Sequence, residues 1–395
     1  MLDKVINFFT SLKLTVVCLA YAMVLVFLGT IAQVDEGLYQ AQARYFKSFL
    51  IFSPLKLPLV IPGGYLVGGI LLVNLVMSYV SRYRFSRKNA GLLSIHVGLV
   101  LLLLGQLGTD FFSRESSMRL IEGQAKNYSE SFSRNELALS DTSDPASDQV
   151  TAVPESLLAS QKDIHLTGAP FILRTKQVWA NVDLLEKTAP GAVASGATQG
   201  PGVNWFVYPK PKVAKTDERD MPAALVEVGS PKGSMGTWLV SPVVNNPQSF
   251  TYEGKIYMLA LRFTRYYYPY SIELVKFSHD KYRGTDIPRN FSSQIRLINP
   301  TTGEDRPVLI RMNEPLRHAG HTFYQASFDQ NDPRVSILQV VKNPGWLTPY
   351  ISCVLVGLGL TWQFLTHLFG FTRRQRKEEG RMQNEEFATK SPGLT

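Results

Sequence analysis

Gly91 to Leu107, GLLSIHVGLVLLLLGQL, is apolar over the length a bilayer core requires, and it carries one titratable side chain, His96. Backbone groups in hydrocarbon must satisfy one another, so such a stretch is a helix. His96 then sits little more than one turn inside it, just after the basic run Arg82, Arg84, Arg87 and Lys88. Three further windows have the same character: Leu14 to Ile31, Val60 to Val80, and Pro349 to Phe371. Mean hydropathy of -0.02 conceals them because a long polar segment separates the third from the fourth.

The net charge of +9 resembles a nucleic-acid footprint until its location is considered. The N-terminus, the connection between the second and third windows, and the C-terminal tail hold twelve cations against five acids, +7 of the total. Short basic connections stay on the cytoplasmic side, so the termini are expected there and the long segment outside, with no nucleic-acid partner. The first window is too long for a cleaved signal and is read as a retained helix. Cys18 and Cys353 both fall in apolar windows, which leaves the outer segment without a disulfide framework.

The expected fold is an integral membrane protein of four transmembrane α-helices, with a large extracytoplasmic antiparallel β-sandwich-like domain between helices 3 and 4. Residues 1–33 form an interfacial segment and the first helix, and 34–59 an outer loop whose Tyr39, Tyr45, Phe46, Phe49 and Phe52 suit an amphipathic helix on the outer leaflet. Residues 60–109 form a helical hairpin, in which the glycines and Asn74 of the second helix indicate close packing. Residues 110–344 show short β-branched and aromatic runs broken by turn residues, as in Phe171 to Thr175, Ile256 to Phe263, Ser271 to Phe277 and Val335 to Val341. Asn299-Pro300-Thr301-Thr302-Gly303 reads as a hairpin turn. Ser140 to Gln161, and Thr188 to Pro201 continuing to Pro222, read as mobile insertions. Residues 345–371 form the fourth helix and 372–395 a basic tail.

His367 lies a few residues before that tail, so the opposed directions of the third and fourth helices bring it to a depth similar to that of His96. Two neutral imidazoles at one depth fit the axial positions of a haem iron; the alternative is that they bond Ser94, Gln106 or a backbone carbonyl between helices. His318 and His321 in RHAGH lack a third convergent ligand and read as solvated turn histidines, with no metal site beyond haem iron. Hydrolase, metalloprotease, NTPase, dinucleotide and dithiol motifs are absent, and no catalytic residue is assigned.

Several stretches resemble the ResB family, the membrane component of System II cytochrome c biogenesis: SLKLTVVCLAYAMVLVFLGTIAQ, NAGLLSIHVGLVLLLLGQLG, FTRYYYPYSIELVKFSHDKYRGTDIPRNFSSQIRL and IRMNEPLRHAGHTFYQASFDQND. The most specific block contains Asn313, Pro315, Leu316, Gly320, Phe323, Tyr324 and Gln325. The resemblance implies a CcsA/ResC-type membrane partner, apocytochrome c as client, membrane lipid as surroundings, and haem b as a transported cofactor. It implies that His96 is an axial haem ligand in a bacterial inner-membrane complex, with this chain a non-catalytic subunit or part of a haem lyase. In that family the partner supplies the second ligand, which competes with His367. Trp179, Trp205, Trp238, Trp346 and Trp362 form no tryptophan-rich motif, so the chain is not a fusion of both components. The competing classes are a quinol-linked electron carrier using His96 and His367, and a haem-free scaffold.

Overall fold

The computed structural model describes residues 2–52, 60–82, 89–144, 147–160, 162–166, 168–213, 220–244, 247–281, 284, 288–329 and 331–390. Arg84, Arg87 and Lys88 of the basic run, residues 53–59 of the outer loop, and residues 145, 146, 161 and 214–219 of the two insertions lie outside the described residues. The chain divides into two compact units, Met1–Ser113 with Asn343–Thr395, and Arg114–Lys342.

The helices are α1 (Leu2–Phe9), α2 (Leu12–Glu36), α3 (Leu38–Ala41), α4 (Gly64–Arg82), α5 (Ala90–Phe112), α6 (Glu155–Ala159, in the second unit) and α7 (Thr348–Lys390). Of these, α2, α4, α5 and α7 are long and apolar enough to cross a membrane. The helix of α7 runs on through the basic residues Arg373 to Lys377. Asn74 of α4 is 3% exposed. Its amide donates to the carbonyls of Phe9 (2.6 Å) and Ser11 (3.1 Å), and its oxygen accepts from Thr15 Oγ1 (2.7 Å). It thereby satisfies backbone groups left open at the break between α1 and α2.

The outer loop is not the amphipathic helix expected. After α3 it widens into a π turn, Gln42–Phe46, and then continues to strand β1 (Leu50–Phe52), which pairs with β2 (Val60–Pro62). The aromatics are divided rather than gathered on one face: the Phe46 ring lies where a Cβ on Gly29 of α2 would fall, at 2.7 Å, while Phe49 and Phe52 are exposed.

In α4 a Cβ on Gly64 would lie 2.8 Å from Phe46 Cα, while Gly68 and Gly69 meet open space; a longer run of close glycine contacts occurs in α5. Gly91, Gly98 and Gly105 recur every seven residues, two helical turns, and so share one face. A Cβ on Gly91 would lie 2.7 Å from the Gly359 carbonyl of α7, and one on Gly98 would lie 2.7 Å from Val356 Cγ2 and 2.9 Å from the Ser352 carbonyl. Ser94 Oγ donates to the Leu355 carbonyl at 2.7 Å. Small residues let the two backbones meet, which is how helices associate where no hydrophobic force separates lipid from protein. Gly98→Leu is therefore expected to destabilise the protein by about 1–3 kcal/mol through overpacking. Thermal unfolding of the purified protein in detergent checks this, with Gly108→Leu as the control, because a Cβ there meets nothing within 4 Å.

The second unit is built from β3 (Arg114–Ile121), β4 (Ala125–Asp141), β5 (Gln149–Pro154), β6 (Ile164–His165), β7 (Ile172–Trp179), β8 (Val182–Leu185), β9 (Val193–Ala194) and β10 (Phe206–Pro209). It continues through β11 (Ala223–Ser230), β12 (Gly233–Val240), β13 (Gln248–Tyr252), β14 (Lys255–Lys281), β15 (Pro288–Asn299), β16 (Glu304–Arg311), β17 (Leu316–His318), β18 (His321–Phe328) and β19 (Val335–Lys342). Named strands pair antiparallel, in a ten-stranded sheet of order β16-β15-β14-β4-β3-β19-β18-β17 with β13 and β5 attached, a four-stranded sheet β12-β11-β7-β6, and a three-stranded sheet β8-β10-β9. The hairpin turn after Asn299 is present: Asn299 Oδ1 accepts from the Thr301 amide (3.1 Å), and Gly303 takes the left-handed conformation at φ 71°.

Strand β14 contributes to two cores. One joins Leu137, Leu139, Val153 and Leu259 to Leu173, Val226, Trp238 and Val240 of the four-stranded sheet. The other gathers Met118, Tyr270, Ile272, Ile295, Ile310, Phe323 and Leu338 from the ten-stranded sheet alone. The change between them is made by two irregularities in the pairing of β14 with β4, the first with its extra residues in β4 and the second with them in β14. Phe263 pairs with Asn135 and Arg265 with Glu130; then Tyr267 pairs with Tyr128 and Ile272 with Lys126. Such extra residues bend strands and redirect side chains. The expected separate strands Ile256 to Phe263 and Ser271 to Phe277 are therefore parts of one bent strand.

Both expected mobile insertions contribute to the fold. Val153 of β5 and Leu158 of α6 are buried in the first core, and Val207 of β10 in a third cluster with Val182, Leu225 and Leu239. Polar composition there reflects exposed faces of short elements rather than lack of structure.

Candidate functional site

His96 is partly exposed on α5. Its Nδ1 lies 2.8 Å from the Leu92 carbonyl, one turn earlier on the same helix. A carbonyl only accepts, so Nδ1 carries the proton and the Nε2 lone pair of the neutral ring faces away from the helix backbone. Fixing one ring nitrogen by a backbone carbonyl is how proteins orient an imidazole for metal ligation. The Tyr79 ring of α4 is 6.2 Å away by centroid, tilted by 45°.

The structure does not bring His367 to His96. The contacts of Gly91 with Gly359, Ser94 with Leu355 and Gly98 with Ser352 fix the antiparallel register, and they put His96 level with Val354. His367 is thirteen residues further along α7, about 20 Å at 1.5 Å per residue. The expectation of equal depth assumed that α5 and α7 begin and end together, whereas α7 continues well past the first residue of α5. The His367 Nε2 is instead engaged by the Gln363 amide at 2.9 Å.

In the β domain, His318 and His321 are not solvated turn residues. They pair directly across a two-residue hairpin whose Ala319 (φ 47°) and Gly320 (φ 75°) both take positive φ, the backbone of a type I′ turn. Their rings enter an aromatic cluster. The Tyr268 ring is 4.9 Å from His321, the Tyr270 ring 4.7 Å from His318, and the two tyrosines stack at 5.3 Å. The Tyr270 hydroxyl is 3.4 Å from His321 Nδ1. Tyr268 bonds Ser129, which is 2.8 Å from Ser116. Burial pushes both phenols above their ordinary range and pulls the His321 imidazole below its own, with Lys342 adding to the latter.

His321, Tyr266, Tyr268, Arg114, Ser116 and Lys342 line a cleft of about 140 Å³. A larger cleft beside it, about 650 Å³, contains Asn135, Glu136 and Glu155. There Glu136 pairs with Arg262 at 3.0 Å and the Asn135 amide donates to Glu155 at 2.8 Å, while the buried Asn135 Oδ1 has no hydrogen-bond partner among the described residues. Among the described residues no group of three or more His, Cys, Asp or Glu could hold a metal ion.

The block carrying the resemblance is largely structural. Asn313 takes φ 66° at a turn, Leu316 and Phe323 face each other across β17 and β18 inside the core, and Gly320 completes the hairpin. Gln325 accepts from the buried Ser293 at 2.6 Å and donates to Ser336 at 3.1 Å. Pro315 leads into β17, and Tyr324 is left exposed. The cleft itself went unread in the sequence, although RYYYPYS, four tyrosines within five residues beside a proline, exceeds what strand alternation needs.

The ResB-like family pattern matches residues 258–337, which contain the tyrosine run, the histidine hairpin and the whole Asn313 to Gln325 block. Protein NrfI of Wolinella succinogenes is 32% identical over 97 residues, 25% of this chain. The match spans 11% of that protein's length. Four helices of this chain are long and apolar enough to cross a membrane, and residues 258–337 of its β domain are similar to the ResB-like family.

Proposed function

We propose that this chain is a cytochrome c biogenesis subunit. With a multi-span partner of the CcsA/ResC type, it helps to move haem across the bacterial inner membrane and to present it to apocytochrome c. The observation that carries the reading is His96, an imidazole in an apolar helix whose Nδ1 is held by the Leu92 carbonyl, an arrangement that leaves Nε2 for another partner. Haem is cargo in this reading, and its iron supplies the binding affinity. The contribution of this chain is to hold one axial nitrogen in the neutral tautomer at a defined depth, while the partner supplies the other ligand.

The charge distribution supports cytoplasmic termini and an extracytoplasmic Arg114–Lys342 domain. That domain then stands on the side where apocytochrome is modified and acts as a bracing surface for the partner or the client. Thioether formation belongs to the complex. The electron-carrier alternative loses its motive, since the register of α5 and α7 separates its two histidines.

The test is maturation in cells lacking this chain. Haem-stained c-type cytochromes should be missing while the apoproteins are still made and exported, and the full-length chain should restore them. Normal holocytochrome levels without it contradict the proposal.

A further inference from the structure

The registers of β3 and β19 place Arg114 directly opposite Lys342. Facing residues in an antiparallel pair lie about 4.5–5.5 Å apart at Cα, so two cations are held side by side, an arrangement that disfavours the pair unless something negative comes between. Neither has a carboxylate partner among the described residues, whereas Arg119, Arg174, Arg262, Arg265, Arg296 and Arg334 of the same domain each pair with one. The acid beside them, Glu115, points to the opposite sheet face and accepts from Gln339 at 3.0 Å. The Arg114 guanidinium lies over the Tyr266 ring at 4.2 Å, which steadies its plane. His321 lines the same cleft, and no acid does.

We propose that Arg114, Lys342, His321 and Tyr266 form an oxyanion site on the β domain, for one carboxylate or phosphate group. The volume of about 140 Å³ equals four or five waters at about 30 Å³ each, enough for one such group and its hydration but not for a porphyrin. A guanidinium, an ammonium and an imidazole offer the charge-assisted donors that oxyanions prefer. Two sources share this chemistry: the propionate of a haem, which rests on the haem-handling reading, and phosphate, free or on a lipid.

The His321 ring reports occupancy, because Lys342, Arg114 and His318 are the charged or titratable groups that depress its proton affinity and an anion beside the two cations offsets them. The experiment follows the six histidines by NMR in the full-length protein, ¹³C-labelled at imidazole, in neutral detergent, titrated with sodium propionate and, separately, sodium phosphate. A saturable rise in the His321 pKa with either anion is expected. Arg114→Gln with Lys342→Met should weaken it at least tenfold while the other histidine signals keep their positions. Tighter response to propionate identifies the porphyrin side chain as source, and tighter response to phosphate identifies phosphate. No saturable response to either, or an equal response in the double variant, overturns the site. The assay contains no haem, so failure of the haem reading leaves its outcome unchanged.

Discussion

Phe323→Ala is expected to destabilise the β domain by about 3–5 kcal/mol, the range for removing a fully buried ring. Phe323 is 0% exposed and faces Leu316 and Val340 on its two neighbouring strands. Its ring lies 6.2 Å from that of Tyr268 and 6.4 Å from that of Tyr270. The cavity therefore opens beneath the bulge that turns both tyrosines toward His318 and His321, so stability and cleft geometry fail together. For a domain of this size the loss corresponds to about 6–20 °C in Tm. Thermal unfolding followed by near-ultraviolet circular dichroism, which reads tyrosine packing, checks it. Tyr324→Ala, next in the chain but 38% exposed, should stay within about 0.5 kcal/mol.

The contrast between Phe323 and Tyr324 also shows what could be read from the residues. Membrane helices are legible because length and hydropathy leave little other structure: α2, α5 and α7 cover their apolar windows, while α4 begins only at Gly64 because Val60–Pro62 pairs as β2. Strands β15, β16, β18 and β19 are legible because their apolar residues alternate, whereas the three-residue β17 reads as part of a turn. Strands β3 and β4 are not, since they turn serines inward: Ser116, Ser117, Ser129 and Ser131 are buried. Their hydroxyls are satisfied in part by one another and by Tyr268, which no hydropathy pattern displays. Helix register was hidden for a different reason. The depth of His367 depends on where α7 meets α5, and the meeting point is set by Gly91, Gly98 and Gly359, whose significance appears only when the helices are paired. The Arg114 to Lys342 cleft joins residues at the two ends of the domain and in its middle, a long-range juxtaposition that local spacing does not encode.

His96→Ala is expected to abolish haem retention while the helix survives, because alanine is the best helix former and the Gly91, Gly98 and Ser94 contacts with α7 do not involve the imidazole. Loss of the partly exposed ring leaves a space that free imidazole can enter, so partial recovery on adding imidazole separates lost ligation from lost folding. His367→Ala should leave haem unaffected, since its Nε2 is occupied by Gln363 and it lies thirteen residues from the level of His96.

The most direct measurement is the absorption spectrum of the purified complex with its membrane partner, comparing unaltered protein, His96→Ala, His96→Ala with imidazole, and His367→Ala at equal protein concentration. Axial ligation by His96 requires the haem bands to fall about tenfold or more in His96→Ala, to return in part with imidazole, and to persist in His367→Ala. Unchanged haem content and band positions in His96→Ala contradict it.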